Sequence, residues 1–402
     1  MQRARSMMTT VNSVSHTALH LRRLAAGALV IAAALAGPSP AVAMDTAARE
    51  AILIDSQTGA VLFEKDADAL MPPASMSKLM TIYMVFERLK EGSLSLDEEF
   101  VVSENAWRKG NWASGGSTMF LEPGQRVRVE DLLQGIIVQS GNDACIVVAE
   151  ALAGSEDAFA EMMTEKAREI GLTNSTFRNA SGWPHPEHRM TARDLATLAK
   201  RTIKDFPAFY HYYAERKFTY NNHTQYNRNE LLGKGIGVDG LKTGHTENAG
   251  YGLTASAERL DRRLILVVNG LTSKRARREE PQRLLEWGFR EFKNYALFKA
   301  GEEIAKVDIW LGNKPQVPLV ITDEMLLTLP RKERAGMKVS VDYQTPVPAP
   351  VKAGDKLGTL TLTFPEREAI QVPLLAGDGA ERLGLFGRVM SALRSIILGV
   401  SG

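Results

Sequence analysis

Residues 72–81 read PPASMSKLMT, and two readings of this stretch lead to different proteins. In the first, Pro72 and Pro73 disfavour helix before them, and a serine after such a break is a favoured N-cap. Leu79, Met80, Ile82, Tyr83, Val85, Phe86 and Leu89 then follow at helical spacing. A capped amphipathic helix would explain all of this and leave Lys78 an ordinary surface charge. In the second reading the stretch holds a nucleophile and its base. At about 100° per residue Ser75 and Lys78 lie roughly 60° apart, one turn from each other, whereas Ser77 falls about 200° from Ser75. Only Ser75 can then share a cleft with Lys78. A serine in the first turn sits at the positive end of the helix dipole beside unpaired N–H groups that can stabilise an oxyanion. A lysine in a dry cleft near other cations can lose enough basicity to accept a proton.

Outward from this stretch, length and composition set the bounds. The chain has 402 residues, more than one compact core usually holds, so two domains are expected. A hydrophobic content of 44% with 24% charged residues is ordinary for a soluble globular protein and excludes a polytopic membrane protein. Arg3, Arg5, Arg22 and Arg23 precede an apolar run from Leu24 to Leu35, and Pro38–Ala43 supplies small residues for cleavage after Ala43. This pattern predicts a secretory signal peptide over 1–43 rather than a membrane anchor, since the run is short for a bilayer of about 30 Å. Removing it takes away four arginines and no acids, which leaves 45 basic against 47 acidic residues. No basic character then points to nucleic acid. The single cysteine, Cys145, cannot form an internal disulfide, and its apolar neighbours mark it as a small core residue. No Cys/His or HExxH cluster suggests a metal, and no cofactor is expected.

The order of elements predicts an α+β catalytic domain over 44–298. A hairpin (51–54 and 61–64) comes first. Helical patterns follow at 129–138, 143–152, 157–170 and 191–203, then strands at 240–246, 250–255 and 263–270, and a closing helix from Pro281 to Phe292. Such an order implies an antiparallel sheet built from both ends of the domain, with an inserted helical lobe and a site between lobe and sheet edge. Short strand candidates at 307–310, 317–321, 337–343, 356–364 and 370–375 predict a small β-rich domain over 299–378. In the tail, 379–402, Leu385, Phe386, Val389, Met390, Leu393, Ile396, Ile397 and Val400 repeat at helical spacing. It reads as an amphipathic helix lying in a membrane surface, or else as a terminal helix packed on the β-rich domain.

Two further stretches bear on Ser75. Ser140-Gly141-Asn142 falls between two apolar helices, where polar side chains would be costly without partners. Alone it could be a simple turn. Lys242-Thr243-Gly244 lies on a predicted edge strand, where Gly244 would let another chain approach the backbone. Alone it could be a hairpin strand with a surface lysine. Together, S-x-x-K, S-x-N and K-T-G in this order form the signature set of penicillin-interacting serine acyl-transferases.

The wording is closer still to one family. PASMSKLMT, STMFLEPGQRVRVEDLLQGIIVQSGNDA, SGWPHPEHRMTARDLATLA, NRNELL, VDGLKTGHTENAGYGLTASAE and LLEWGF closely resemble the D-alanyl-D-alanine carboxypeptidases, the low-molecular-mass penicillin-binding proteins. The resemblance runs over about 47–295. It implies a β-lactamase/penicillin-binding-protein transpeptidase-like catalytic domain followed by a β-rich domain and a C-terminal amphipathic helix. It further implies Ser75 as nucleophile, Lys78 as general base, Ser140 as proton relay to the leaving amine, and Asn142 as holder of Lys78 and of the substrate backbone. Lys242 would supply positive charge near Ser140, Thr243 and Arg228 would take the substrate's terminal carboxylate, and Gly244 lies between them and His245. The backbone N–H groups of Ser75 and His245 would form the oxyanion hole. Arg228 could equally be a surface arginine, and the imidazoles of His188 and His245 are read as structural.

The implied partners are peptidoglycan stem peptides, β-lactams as covalent inhibitors of Ser75, and a membrane surface reached through the tail. The implied location is the periplasm, on the outer face of the cytoplasmic membrane. Trp183 stands where leucine is common in the family, and Arg189 and Met190 also depart from its wording, which leaves substrate preference and deacylation rate open. Three alternatives are weighed. A DD-endopeptidase is close. A β-lactamase is disfavoured by the missing Glu-x-x-Leu-Asn stretch between Ser140 and Lys242 and by the second domain. A non-catalytic peptidoglycan-binding scaffold is disfavoured by the intact Ser75, Lys78, Ser140 and Lys242.

Overall fold

The computed structural model describes residues 44–390. The expected signal peptide at 1–43, and the tail beyond 390, lie outside the described residues.

Strands β1 (Glu50–Asp55) and β2 (Val61–Lys65) form the expected hairpin. Three long strands, β3 (Val238–Thr246), β4 (Gly250–Arg259) and β5 (Arg262–Leu271), complete one five-stranded antiparallel sheet in the order β2-β1-β5-β4-β3. The register pairs Ile52 with Val267 and Lys242 with Thr254. The two ends of the domain thus meet in the middle of the sheet, and β3 is left as its edge.

Period-2 alternation decides what each face covers. Ile52, Ile54, Ile265 and Val267 join the core shared with the helical lobe. Leu53 and Leu264 point the other way. They lie so close to helix α5 (Lys274–Glu291) that a Cβ on Gly288 would come within 2.7 Å of Leu53. Helix α1 (Lys78–Glu91) is buried from Lys78 through Phe86. A helix apolar all round belongs inside, and α1 runs through the core among the surrounding helices. It stops at Gly92, whose φ of 74° is the left-handed C-cap that glycine adopts without a Cβ penalty. The lobe is completed by α2 (Asn142–Ala153), α3 (Glu156–Glu169) and α4 (Ala192–Asp205), near their expected limits.

Away from the cleft, the structure departs from expectation at the start of α5 and at the domain boundary. Helix α5 begins at Lys274, well before Pro281, because Ser273 caps it by accepting from the Ala276 N–H at 3.1 Å. Pro281 sits buried inside the helix rather than at its start. Second, Phe292–Phe298 is a strand that pairs antiparallel with Met325–Pro330, so a strand pair crosses the expected boundary at 298. Tyr295, Leu297 and Phe298 pack against the core of the β-rich region, which draws the chain into that region from Phe292 onward. The five expected strands join a sixth, Val347–Pro348, in a six-stranded sheet.

At the tail, residues 385–390 are helical, and Leu385, Phe386, Val389 and Met390 are all more than half exposed. Among the described residues no helix is long and apolar enough to cross a membrane.

Candidate active site

Ser75 does not cap α1. It lies in a 3-10 turn, Ala74–Ser77, with Pro73 at the N-cap and no side-chain cap bond, and α1 starts only at Lys78. The difference sharpens the geometry. A 3-10 turn has about three residues per turn, so residues i and i+3 nearly eclipse, closer than the α-helical offset. The Lys78 Nζ accordingly reaches the Ser75 Oγ at 2.9 Å. Ser77 is buried on the other side of the turn.

The turn is held under constraint. Ala74 has a φ of 48°, a left-handed conformation that costs a residue with a Cβ about 1–2 kcal/mol. Two glycines press on it. A Cβ on Gly182, itself at φ +77°, would lie 2.0 Å from the Ala74 carbonyl oxygen, and one on Gly244 would lie 2.8 Å from the Pro73 carbonyl oxygen. The close approach expected at Gly244 is therefore present, and it is made by the turn that carries Ser75.

Lys78 is fully buried. Its Nζ has three partners: Ser75 Oγ, the Asn142 Oδ1 at 2.7 Å, and the Ser181 carbonyl at 2.5 Å. Two of these only accept, whereas a hydroxyl can also donate. A neutral amine therefore satisfies all three by giving its two N–H bonds to Asn142 and Ser181 and turning its lone pair to the Ser75 hydroxyl. Burial, with the Arg228 charge acting in the same sense, brings the Lys78 ammonium from 10.5 down to about 8.

Ser140 ends a π-helical segment, Gly135–Gln139, in the left-handed region at φ 69°. It is buried, and its Oγ has no hydrogen-bond partner among the described residues. Asn142 opens α2, and its backbone N–H donates to the Ser117 carbonyl at 2.7 Å. Next to it the buried Asp143 carboxylate accepts from the Thr118 hydroxyl and from the Met119 and Leu121 N–H groups, which fixes the strip beside the cleft.

On the edge strand Lys242 and Thr243 are both buried, and Gly244 follows. Burial, with the Lys78 and Arg228 charges adding to it, holds Lys242 well below the usual lysine range. Arg228 donates to the Ser117 Oγ at 2.6 Å. The His245 ring is exposed and lies 3.9 Å from that of Tyr251. His188 is buried and pushed down to about 3, mainly by burial, so it stays neutral.

One cleft of about 590 Å³ collects Ser75, Ser140, Asn142, Arg228, Thr243, Gly244 and His245. Lys78 and Lys242 sit behind its wall. Trp183 lines it as well, and Arg189 lines a neighbouring cavity, whereas Met190 is a core residue bridged to Met71. Three contributors carried no signal read from the sequence. Ser181 supplies a backbone oxygen to Lys78. Asn179 holds that loop, its Oδ1 accepting from the Gly182 N–H at 2.7 Å and the Trp183 N–H at 3.0 Å. Arg277 lines the cleft, paired with Glu230 at 2.9 Å and 5.5 Å over the Tyr251 ring. An asparagine just ahead of an Ala-Ser-Gly turn is the one local hint of Asn179.

An antiparallel sheet with an inserted helical lobe, and a serine held against a buried lysine between them, define a serine acyl-transferase of the penicillin-interacting class. Residues 36–273 match the D-alanyl-D-alanine carboxypeptidase family, and residues 292–382 match the penicillin-binding protein 5 C-terminal domain. The chain is 41% identical over 376 residues to the D-alanyl-D-alanine carboxypeptidase DacC of Escherichia coli K12, covering 92% of this chain and 94% of that one. Penicillin-binding protein 5 of Haemophilus influenzae superposes with a TM-score of 0.73 at 34% identity, over 84% of this chain and 99% of that one. Ampicillin-bound penicillin-binding protein D2 of Listeria monocytogenes superposes at 0.53 and 30% identity, over 61% and 98%. The chain belongs to the D-alanyl-D-alanine carboxypeptidase family.

Proposed function

We propose that Ser75 is the nucleophile with which this carboxypeptidase removes the terminal D-alanine from peptidoglycan stem pentapeptides. The observation that carries this reading is the set of three partners around Lys78, which leaves its lone pair one direction, towards the Ser75 hydroxyl. In the first step the Ser75 oxygen attacks the carbonyl carbon of the penultimate D-alanine and its proton passes to Lys78. The carbon–nitrogen bond then breaks, and the leaving amine takes a proton through Ser140, whose Oγ is otherwise unengaged among the described residues. With Lys78 neutral again, its proton having gone by way of Ser140 to the amine, water attacks the ester on Ser75 and loses its proton to Lys78; the bond to the Ser75 oxygen breaks, Lys78 returns the proton to that oxygen, and the shortened peptide leaves as the acid.

Asn142 holds Lys78 and the substrate backbone. Lys242 keeps positive potential beside Ser140, and Thr243 with Arg228 takes the terminal carboxylate. Gly244 keeps the strand close to the Ser75 turn. The Ser75 and His245 N–H groups bind the oxyanion. In support, the first N–H groups of a helical turn have no partner within it, and β3 has one open edge. β-Lactams acylate Ser75 by the same attack.

The chain acts outside the cytoplasm, after cleavage near Ala43, and sits on the outer face of the cytoplasmic membrane through its tail. The exposed row Leu385, Phe386, Val389 and Met390 supports that attachment. The test is labelling by a fluorescent penicillin together with D-alanine release from a pentapeptide stem. The parent should do both and Ser75→Ala neither; labelling that persists in Ser75→Ala would sink the assignment.

A further inference from the structure

A second cavity, of about 230 Å³, adjoins the catalytic cleft. The two share Gly182, Trp183, Pro184, Thr246 and Asn248. Trp183 forms the partition. Its backbone is pinned from both sides by Asn179, and its indole reaches across to Gly116, where an added Cβ would lie 3.2 Å from the ring. The far wall is Pro72–Ala74, the turn leading directly into Ser75.

The polar groups of this cavity are mostly donors. The His188 Nδ1 accepts from the Arg178 N–H at 3.3 Å, so the ring proton of this neutral imidazole is on Nε2. That Nε2 has no partner among the described residues, although His188 is 2% exposed. Arg189 lines the cavity half-buried. Its main chain is paired with Thr176, but its guanidinium has no hydrogen bond or ion pair among the described residues. Asn248 adds an amide. Among the described residues no carboxylate lines the cavity, and the adjacent Glu187 is engaged by Arg178 at 3.0 Å. An unanswered buried donor beside an unpaired cation calls for a ligand that is acceptor-only and anionic.

Position decides which part of a substrate this would be. Along β3, Thr243 and His245 line the catalytic cleft, and Thr246 at its end and Asn248 in the turn that follows line both cavities. A chain with its terminal carboxylate at Thr243 and Arg228 runs past Ser75 towards Thr246 and Asn248. We propose that the second cavity receives the side chain of the residue that precedes the penultimate D-alanine and selects one that ends in a carboxylate. This rests on the Ser75 reading given above.

The test compares two peptides of equal shape, N-acetyl-Xaa-D-Ala-D-Ala with Xaa glutamate or glutamine, on the full chain. The glutamate peptide should show the higher kcat/KM for D-alanine release by about tenfold, the size of a charge-assisted contact at a half-buried site. Arg189→Gln should bring the ratio close to one, and Arg189→Lys should keep part of it. Equal rates for the two peptides in the parent, or a ratio unchanged in Arg189→Gln, would overturn the inference. Binding of the same pair to Ser75→Ala, measured by calorimetry, separates this from the reading beneath it. A glutamate preference in binding without any D-alanine release by the parent would uphold the cavity's selectivity and reject the carboxypeptidase assignment. Release without preference in either assay would do the reverse.

Discussion

If Lys78 takes the Ser75 proton, acylation must follow the fraction of Lys78 that is neutral. Burial brings Lys78 from 10.5 to about 8, so at pH 7 about one molecule in ten carries the free amine. At the ordinary value it would be about one in 3,000, so the shift, caused mainly by burial, raises the reactive population about 300-fold, worth about 3 kcal/mol. The assay is the second-order rate constant for Ser75 acylation by a fluorescent penicillin, from about pH 5.5 to 9.5. The free enzyme's essential base shows in this constant. It should rise about tenfold per pH unit on the acid side, bend near pH 8 and then level. Asn142→Asp sharpens the test. A carboxylate in place of the amide oxygen now 2.7 Å from Nζ would hold the proton on Lys78 and move the bend up by about one pH unit or more. Lys78→Arg, which cannot give up its proton, should cost about 10²–10⁴ in rate. A rate constant flat from pH 6 to 8, or one that survives Lys78→Arg, would refute the role given to Lys78.

Three further outcomes follow from the structure. Gly182→Ala places a methyl 2.0 Å from the Ala74 carbonyl at a left-handed φ, and should cost about 2 kcal/mol or more in denaturant unfolding while slowing penicillin acylation; a neutral variant would show that the turn is not held by this contact. His188 is held neutral down to about pH 3, whereas in the unfolded chain it protonates below about 6.5, so the unfolded state binds more protons between these values and stability falls as the pH drops. The loss attributable to His188 should be about 2 kcal/mol at pH 5, and His188→Phe should flatten the stability profile between about pH 4 and 6.5, which urea unfolding at several pH values would show. Truncation before Arg382 should release the chain from membranes with penicillin labelling intact, and membrane binding that persists would refute the anchor.

The sequence made Ser75 and Lys78 legible because their pairing is local, and a three-residue spacing is a statement about one helical turn. The same holds for the sheet strands, whose apolar runs are long and bounded by turns. Ser181 was invisible because it contributes a carbonyl, which every residue has, from a loop more than 100 positions away from Lys78. Arg277 falls among charged residues ahead of the helix expected from Pro281, and only the fold sets it against Glu230 and the Tyr251 ring. Pro281 misplaced the start of α5 because proline is favoured at the first helical position, and the Ser273 cap upstream outweighed that cue. The strand Phe292–Phe298 was missed for a related reason. Its partner, Met325–Pro330, lies beyond the expected domain boundary, and a strand with intermediate exposure shows little alternation.

The pairing of β1 with β5 has a consequence for the life of the chain before it is folded. Glu50 meets Asn269 and Asp55 meets Leu264, so the central seam of the sheet joins segments some two hundred residues apart. Contacts of such separation form late, since the intervening chain must first be gathered in. The first hairpin can therefore find its neighbour only after nearly the whole catalytic domain has emerged from the ribosome. A topology that defers its own closure keeps the polypeptide an open thread during synthesis, the form that the export proposed above would need for passage through a narrow pore.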